Sequence, residues 1–448
     1  MNYSEYIERK FDTSPPAGID GVEVSDVLFP WQADLVRRAL SAGRFCLFTD
    51  TGTGKTLMQL EWARHVSAKG RVLILAPLAV AEQTSREAKK LGLDVPYRRE
   101  DDGSQILVAN YEMLSHFDSG AFEGIVLDES SILKAYDGRT RNAIISEFER
   151  TPFRLACTAT PSPNDHIELG NHSEFLGVKS YSEMLAEFFV HDGKTTQAWR
   201  IKGHAEELFW RWVCSWAAFM GQPQDLGYSG DGYDLPPLKM HEHTIDVDHV
   251  VARESGMLFA MEARTLSEQR AIRRGTLKRR IEICSGLADC DEPVIVWCEL
   301  NTEGDALEKS IPGAVQIKGS DSPDVKRDRM LAFSDGDIRV MVTKPKIAGF
   351  GLNWQHCARV VFVGASHSFE ATYQAIRRCW RFGQKRPVNV HVIRAETEGA
   401  IIANYRRKEA DFRTMQHEMI RHSANAMAGT RWVDYSPATS MEVPSWLK

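Results

Sequence analysis

The sequence lacks the features that mark several classes of protein. Its eight cysteines include no Cys-x-x-Cys pair, so the sequence indicates neither a zinc ribbon nor a disulfide framework, and buried free thiols are expected. No apolar run approaches the ~20 residues of a membrane span, and the charged N-terminus has no apolar segment of signal-peptide length. The sequence therefore predicts a cytoplasmic protein without a membrane contact.

An excess of basic charge is also missing. The net charge is −6, so any contact with nucleic acid must come from a local basic surface. With 448 residues, of which 43% are hydrophobic and 26% charged, the chain is long enough for about two or three ordinary globular domains.

Short apolar runs occur in two series that alternate with helical patterns. One series lies between Phe45 and Cys157 and the other between Val294 and Ile393. Each series predicts a parallel α/β unit. The predicted fold class is therefore α/β, with two tandem doubly wound parallel-sheet lobes and a helical insertion between them.

The predicted domain bounds follow from these series. They are a first lobe at 1–240 with an insertion at about 164–240, a second lobe at 241–405 that begins with a helical entry segment, and a helical tail at 406–448. An amphipathic stretch from Ile401 to Met419 is expected to pack on the second lobe.

A phosphate-binding loop follows the first apolar run. The segment at 48–56 reads Phe-Thr-Asp-Thr-Gly-Thr-Gly-Lys-Thr and precedes a helical pattern. Glycines let the backbone N–H groups turn towards phosphate oxygens, a lysine neutralises the β and γ phosphates, and a hydroxyl holds magnesium. Lys55 and Thr56 have the last two roles, although Thr49 replaces the first glycine of the strict pattern. The residues predicted to bind the nucleotide are Asp50, Thr51, Gly52, Thr53, Gly54, Lys55 and Thr56.

An acidic pair ends a later run of the same unit. Asp128 and Glu129 follow the apolar residues 125–127, about seventy residues after the loop, and the carboxyl edge of a doubly wound sheet is where ligands bind. We expect Asp128 to hold magnesium and Glu129 to orient and deprotonate the attacking water.

Two arginines in the second unit predict the other half of this site. The segment at 374–384 reads Gln-Ala-Ile-Arg-Arg-Cys-Trp-Arg-Phe-Gly-Gln. An arginine supplied across a cleft stabilises charge on the γ-phosphate and is worth on the order of 10³ to 10⁵ in rate. On a helix, Arg378 and Arg381 would share a face while Arg377 points elsewhere. We therefore predict Arg378 and Arg381 as catalytic residues.

In this order, the motifs resemble those of superfamily 2 helicases, and more narrowly the Swi/Snf-type branch of DNA-translocating ATPases, in a compact bacterial or phage-like form. The resemblance covers about residues 27–400, and the segment at 374–384 matches Q-A-x-x-R-x-x-R-x-G-Q at every specified position. It implies two RecA-like lobes. The acidic box departs from the branch, since Ser130 and Ser131 stand where Ala-His is usual.

The resemblance implies further site residues. Gln32 would read the adenine edge, Gly349 and Gly351 would lie near ATP, and Thr158, Thr160 and Gln374 would couple hydrolysis to movement of the lobes. Pro77 and Asn110 are similar to the family's first nucleic-acid contacts. A separate basic stretch follows helical spacing and either tracks a phosphate backbone or is a solvated face. It comprises Arg270, Arg273, Arg274 and Lys278.

The predicted function is an ATP-dependent motor that uses magnesium and moves along DNA, expected to be duplex, with RNA still open as a partner. One alternative is a strand-separating DNA or RNA helicase, which would share every motif named above. A second alternative is an ATP-gated clamp or scaffold that binds without translocating. The intact set of Glu129, Arg378 and Arg381 argues against the clamp.

Overall fold

The structure is a computed structural model that describes residues 18–136, 138–191, 199–230, 233, 235–247, 266–348, 353–364, 366 and 368–428. Its strands in this part of the chain are β1 (Arg44–Thr49), β2 (Val72–Ala76), β3 (Ile106–Asn110), β4 (Gly124–Asp128), β5 (Phe153–Cys157), β6 (Phe189–His191), β7 (Trp199–Ile201), β8 (Ala217–Met220), β9 (Leu238–Ile245), β10 (Val294–Trp297), β11 (Ala314–Gln316), β12 (Val340–Thr343), β13 (Arg359–Phe362) and β14 (Val388–Ala395).

The α-helices of the same residues connect and cover these strands. They are α1 (Pro30–Ala42), α2 (Lys55–Val66), α3 (Leu78–Ala88), α4 (Arg139–Glu147), α5 (Leu169–Leu176), α6 (Tyr181–Phe188), α7 (Glu206–Trp216), α8 (Leu266–Gly275), α9 (Leu277–Ala288), α10 (Asn301–Ser310), α11 (Pro323–Asp335), α12 (Pro345–Ala348), α13 (Phe369–Ile376) and α14 (Gly399–Ala428).

Two six-stranded sheets organise the chain. The first has the order β3-β2-β4-β5-β1-β8 and the second has the order β11-β12-β10-β13-β14-β9. Every pairing within both sheets is parallel. β6 and β7 form a separate antiparallel pair. The predicted α/β class with two parallel-sheet lobes is confirmed.

The inner strands of both sheets are buried on both faces, which is why they read as continuous apolar runs, whereas the edge strand β9 is largely exposed. In β2, Leu73 and Leu75 join one apolar cluster, whereas Val72 and Ile74 join the cluster on the opposite face. The strands of the second sheet alternate in the same way between two clusters. Because parallel strands end at the same edge of a sheet, the loops after β1 and β4 lie close together in the first lobe.

The segment between the two series is not purely helical. β8 extends the first sheet beside β1, although no strand was predicted there. The aromatic residues Phe209 and Trp210 of α7 are fully buried in the first-lobe core. The predicted boundary between residues 240 and 241 falls inside β9, which pairs with β14 of the second sheet. The domain bounds stay predictions.

The C-terminal helix α14 contacts both lobes. Phe412 lies against Phe369 and Tyr373 of α13, as expected for packing on the second lobe, and the helix also reaches the first lobe. Phe412, Met415 and Met419 are buried in the same apolar cluster as the first-lobe residues Phe209 and Trp210. The backbone oxygen of Met419 also accepts a hydrogen bond from the Cys214 thiol. An amphipathic pattern shows that one helix face is buried, but it carries no information about the partner.

The cysteines are free thiols, as the sequence predicts, and all but Cys290 are buried. Burial raises the pKa of the Cys46 thiol well above its usual value. Within the described residues, none of the helices combines the length and the apolar character that crossing a bilayer requires.

Candidate active site

The phosphate loop joins β1 to α2 and depends on two glycines. Gly52 and Gly54 have φ values of 84° and 78°, in the left-handed region that residues with a Cβ rarely adopt. A Cβ on Gly54 would lie 2.4 Å from Nε2 of Gln32. Gly54 is also the N-cap of α2, so the helix N-terminus points its free N–H groups at the loop.

Lys55 and Gln32 are both held by the loop backbone. Nζ of buried Lys55 donates to the carbonyl oxygens of Thr49 (2.8 Å) and Asp50 (3.1 Å). Burial lowers the pKa of Lys55, while Glu129 and Asp128 act in the opposite direction. Nε2 of Gln32 donates to the Thr53 carbonyl at 2.8 Å. The amide expected to read adenine is thus attached to the phosphate loop.

The acidic pair lies at the end of β4. Oδ1 of Asp128 accepts hydrogen bonds from Nε2 of Gln59 (2.7 Å) and from the Glu129 N–H (3.1 Å). The Tyr111 hydroxyl donates to the Asp128 carbonyl at 2.7 Å. Burial raises the pKa of both carboxyl groups, and the nearby Lys55 acts against this shift.

Glu129 has a strained backbone. Its φ of 52° makes it the one non-glycine residue with a positive φ among the described residues. Such a conformation costs of order ~1–3 kcal/mol and persists where the surroundings impose it. The Glu129 carboxylate lies within hydrogen-bond distance of Thr158, which follows β5.

The predicted coupling residues form a path from Glu129 to the second lobe. Thr158 Oγ1 donates to Oε2 of Glu129 at 3.4 Å and accepts from the Thr160 N–H at 3.1 Å. Nε2 of Gln374, in α13, donates to Thr160 Oγ1 at 3.4 Å. One short run of hydrogen bonds therefore joins the acidic pair to the arginine motif.

A histidine from another element lies beside the unusual acidic box. Ser130 Oγ and Nε2 of His172 are hydrogen bonded at 3.1 Å. His172 is fully buried in α5, and burial lowers its pKa to about 4. The imidazole is therefore neutral at pH 7. It lies next to the acidic box, in which Ser130 and Ser131 stand where Ala-His is usual.

The arginine motif is not a continuous helix, so the prediction based on helical phase is wrong. α13 ends at Ile376 with Arg377 as its C-cap, and the chain then turns through Gly383, whose φ is 89°. The predicted separation of Arg378 and Arg381 from Arg377 by helical spacing therefore does not apply.

All three arginines point into the site. Burial and Arg381 lower the pKa of Arg378 to about 10, while Glu129 and Asp128 act in the opposite direction, so Arg378 lies within electrostatic reach of the acidic pair. A Cβ on Gly52 would lie 3.4 Å from Cβ of Arg381, which places Arg381 against the phosphate loop. Arg377, expected to point elsewhere, forms an ion pair with Asp50.

The residues present fit a magnesium nucleotide. Thr51 Oγ1 is buried and has no hydrogen-bond partner within the described residues, so the loop retains a hydroxyl for a ligand oxygen. Thr56 lies in the first turn of α2, and Asp128 is 4% exposed. A hydroxyl and a carboxylate are oxygen ligands of the kind that magnesium prefers.

Two of the candidate nucleic-acid contacts are engaged inside the protein. The Asn110 side chain is buried, accepts from the Tyr97 hydroxyl at 2.9 Å and donates to Glu112 at 2.6 Å. Arg273 is buried and pairs with Glu398 at 3.4 Å. Both side chains have partners inside the protein, and their contacts with nucleic acid stay predictions. Helical spacing grouped Arg273 with its neighbours, but it does not tell whether a shared face points outwards.

The remaining candidates have different positions. Arg270, Arg274 and Lys278 are exposed, and Pro77 is the N-cap of α3 at the end of β2. Gly349 and Gly351 lie outside the described residues.

Several residues of the site were missed. Gln59 lies four residues after Lys55, so helical spacing could have placed it beside the loop. Tyr111 directly follows Asn110 in a motif that the sequence does reveal. Tyr373, whose hydroxyl donates to Asp50 Oδ1 at 2.8 Å, and His172 had no such signal, because their positions depend on how distant elements pack.

Comparison with known proteins gives one family for each lobe. Residues 26–163 match the family "Type III restriction enzyme, res subunit", and residues 279–383 match "Helicase conserved C-terminal domain".

The chain is 33% identical over 110 residues to "Bifunctional helicase and thymine dioxygenase JBP2" of Leishmania tarentolae, which is 24% of this chain and 10% of that protein. It is 22% identical over 407 residues to "Putative ATP-dependent helicase/translocase YwqA" of Bacillus subtilis, which is 77% of this chain and 43% of that protein. The chain thus spans less than half of either relative.

A solved structure, "Sulfolobus solfataricus SWI2/SNF2 ATPase core in complex with dsDNA", is similar at 18% identity with a TM-score of 0.42, over 91% of this chain and 98% of that one. At this TM-score the likeness decides nothing about function. The two family matches together cover more than half of the sequence, in the order in which the phosphate loop, the acidic box and the arginine motif occur. The chain belongs to the superfamily 2 helicases, and its likeness to the Swi/Snf branch rests on its motifs alone.

Proposed function

We propose that this chain hydrolyses ATP in the cleft between its two lobes and uses the cycle to move along duplex DNA. One observation carries the proposal: Arg381 of the second lobe lies against the phosphate loop of the first, and the charge of the neighbouring Arg378 interacts with the acidic pair. A site divided in this way is complete only when the lobes are closed. Hydrolysis is then tied to lobe movement by geometry.

Each residue of the site has a distinct task in this mechanism. Lys55 leaves its backbone acceptors and binds the β and γ phosphates. The backbone N–H groups of the loop bind the phosphates as well. Thr56 and Asp128 would hold magnesium, which would supply positive charge to the phosphates. Glu129 accepts the proton of the attacking water, and the two arginines stabilise the charge that develops on the transferred phosphoryl group.

The hydrogen-bond path from Glu129 through Thr158 and Thr160 to Gln374 gives the cycle a route between the lobes. Loss of the γ-phosphate changes the charge facing Glu129 and the arginines. Because the path ends in α13, next to those arginines, the change reaches the second lobe directly.

DNA as the substrate is supported by the relatives and by local charge. The Bacillus relative is named a helicase/translocase and the Leishmania relative a helicase and thymine dioxygenase. Arg270, Arg274 and Lys278 are exposed at the start of the second lobe and supply positive charge to a chain that is negative overall. Phosphate contacts of this kind give binding that weakens steeply with salt.

Steady-state hydrolysis of ATP, measured with and without DNA or RNA, tests the proposal. Duplex DNA is expected to stimulate hydrolysis, and Lys55→Ala is expected to abolish it. Lys69→Ala removes an exposed lysine away from the loop and is the matched control. If no nucleic acid changes the rate, the motor proposal fails.

Two displacement assays separate translocation from its alternatives. A duplex translocase displaces a hybridised third strand from a triplex without separating the duplex. A strand-separating helicase instead unwinds a forked duplex, and an ATP-gated clamp binds tightly, turns over slowly and displaces neither. Third-strand displacement that requires ATP and intact Glu129 is the expected result.

A further inference from the structure

Arg377 is the arginine of the motif that the mechanism above leaves without a task. Its side chain is 4% exposed, and it forms an ion pair with Asp50 through Nη2 and a hydrogen bond from Nε to Asp50 Oδ1 at 3.1 Å. The guanidinium also donates to the Trp380 carbonyl at 3.2 Å and lies over the Trp380 ring, 4.6 Å from its centroid. Two N–H groups facing one carboxylate form the fork geometry that makes arginine pairs strong and directional.

Asp50 connects this arginine to the phosphate loop. Its carboxylate accepts from the Thr51 N–H at 2.6 Å and from the Tyr373 hydroxyl at 2.8 Å. Its carbonyl oxygen accepts from Lys55 Nζ at 3.1 Å and from Thr53 Oγ1 at 2.6 Å. One residue of the first lobe therefore touches both the catalytic lysine and, through Arg377 and Tyr373, the second lobe.

The charge of Arg377 is already matched within the protein. The charge of Arg378 interacts with the acidic pair and Arg381 lies against Gly52, but the fork of Arg377 is occupied by Asp50. If the lobes moved apart, the two-point ion pair and the Tyr373 hydrogen bond to Asp50 would both be lost, and charge-assisted contacts of this geometry are among the stronger polar contacts in proteins. The pair thus favours the arrangement in which the phosphate loop and the arginine motif are together.

We propose that Arg377 is a positioning residue, an interlobe latch that holds the phosphate loop to the second lobe through Asp50 and so raises the affinity for ATP. This rests on the proposed function, because it assumes that ATP is bound between closed lobes. A ligand that binds only the closed lobes has a lower apparent affinity when some of the molecules have open lobes. Loss of the latch therefore weakens ATP binding, whereas loss of a catalytic arginine slows hydrolysis.

A double-mutant cycle tests the latch. A fluorescent, non-hydrolysable ATP analogue is titrated without DNA, and its dissociation constant is measured for Arg377→Gln, Asp50→Asn and the double variant. Each single variant is expected to bind about tenfold more weakly, and the double variant to bind no more weakly than the worse single one, because both remove the same contact. Arg327→Gln breaks an exposed ion pair with Asp324 in α11 of the second lobe and is the matched control, with unchanged binding.

Two further variants keep the test decisive. Tyr373→Phe removes the other second-lobe donor to Asp50 without leaving a charge unpaired. It is expected to weaken ATP binding by about threefold, because one hydrogen bond to a charged group is lost and water partly replaces it. Arg381→Ala is expected to lower the turnover number at saturating ATP while changing the dissociation constant less than either latch variant does.

Three outcomes overturn the latch. Unchanged ATP binding in Arg377→Gln shows that the contact sets no affinity. Additive losses in the double variant show that the two residues act independently. A fall in turnover with unchanged binding, as expected for Arg381→Ala, makes Arg377 a third catalytic arginine instead. Because binding is measured without DNA and without hydrolysis, failure of the motor proposal leaves this test intact.

Discussion

Met419→Ala is expected to destabilise the protein by about 2–5 kcal/mol, the usual cost of truncating a buried methionine. Met419 is fully buried in the apolar cluster of the first lobe, although its helix α14 follows the last strand of the second lobe. Truncation removes apolar contacts and leaves a cavity, but it leaves no charge or hydrogen-bonding group unpaired. Because α14 ties the end of one lobe to the core of the other, the variant is also expected to let the lobes unfold separately.

Urea unfolding followed by circular dichroism measures both effects. The wild-type chain is expected to unfold in one transition and Met419→Ala in two, with the first at lower urea. Met240→Ala makes the same chemical change at a side chain of β9 that is 50% exposed, and is expected to cost less than about 0.5 kcal/mol. A Met419→Ala variant as stable as Met240→Ala would refute the docking of α14 on the first lobe.

Three other predictions concern single residues. Glu129→Gln is expected to keep nucleotide binding and lower turnover about 10²–10⁴-fold, and normal turnover would disprove its role as base. Burial lowers the pKa of His172 to about 4, so as pH falls from about 6.5 towards 4 the unfolded chain takes up the proton first and stability is lost, by up to roughly 3 kcal/mol. Urea unfolding at pH 5 and pH 7 should show a smaller difference for His172→Asn, and an equal difference would contradict the assignment. Arg280→Ala leaves fully buried Glu398 without its 2.9 Å partner and is expected to cost about 3–5 kcal/mol in thermal unfolding, against less than about 0.5 for the exposed control Arg274→Ala.

The contiguous parts of the site were predictable because their chemistry lies in a few neighbouring residues. The loop around Lys55 requires glycine at left-handed positions, and the order of strand, glycines and helix can be read along the chain. The acids Asp128 and Glu129 were predictable for a similar reason, since the end of a parallel strand fixes the edge of the sheet on which they lie.

The parts that depend on packing between distant segments were not predictable. Helical spacing assigned Arg377 to a different face, but α13 ends just before it, and no pattern marks Asp50 as its partner. The basic stretch was interpreted as one surface, yet Arg273 turns inwards to Glu398, which lies 125 residues further along the chain. Periodicity indicates which residues share a face, whereas the partner of that face is decided by tertiary structure.

The strand that enters the second lobe also has a mechanical consequence. The chain leaves β8, the edge strand of the first sheet, and enters β9, the edge strand of the second, which runs parallel to β14 over eight residue pairs from Leu238 to Ile245. A pull along this strand acts along the ladder, so its hydrogen bonds resist together in shear and do not open one after another. Tension between the lobes therefore meets the second sheet in its stiffest direction.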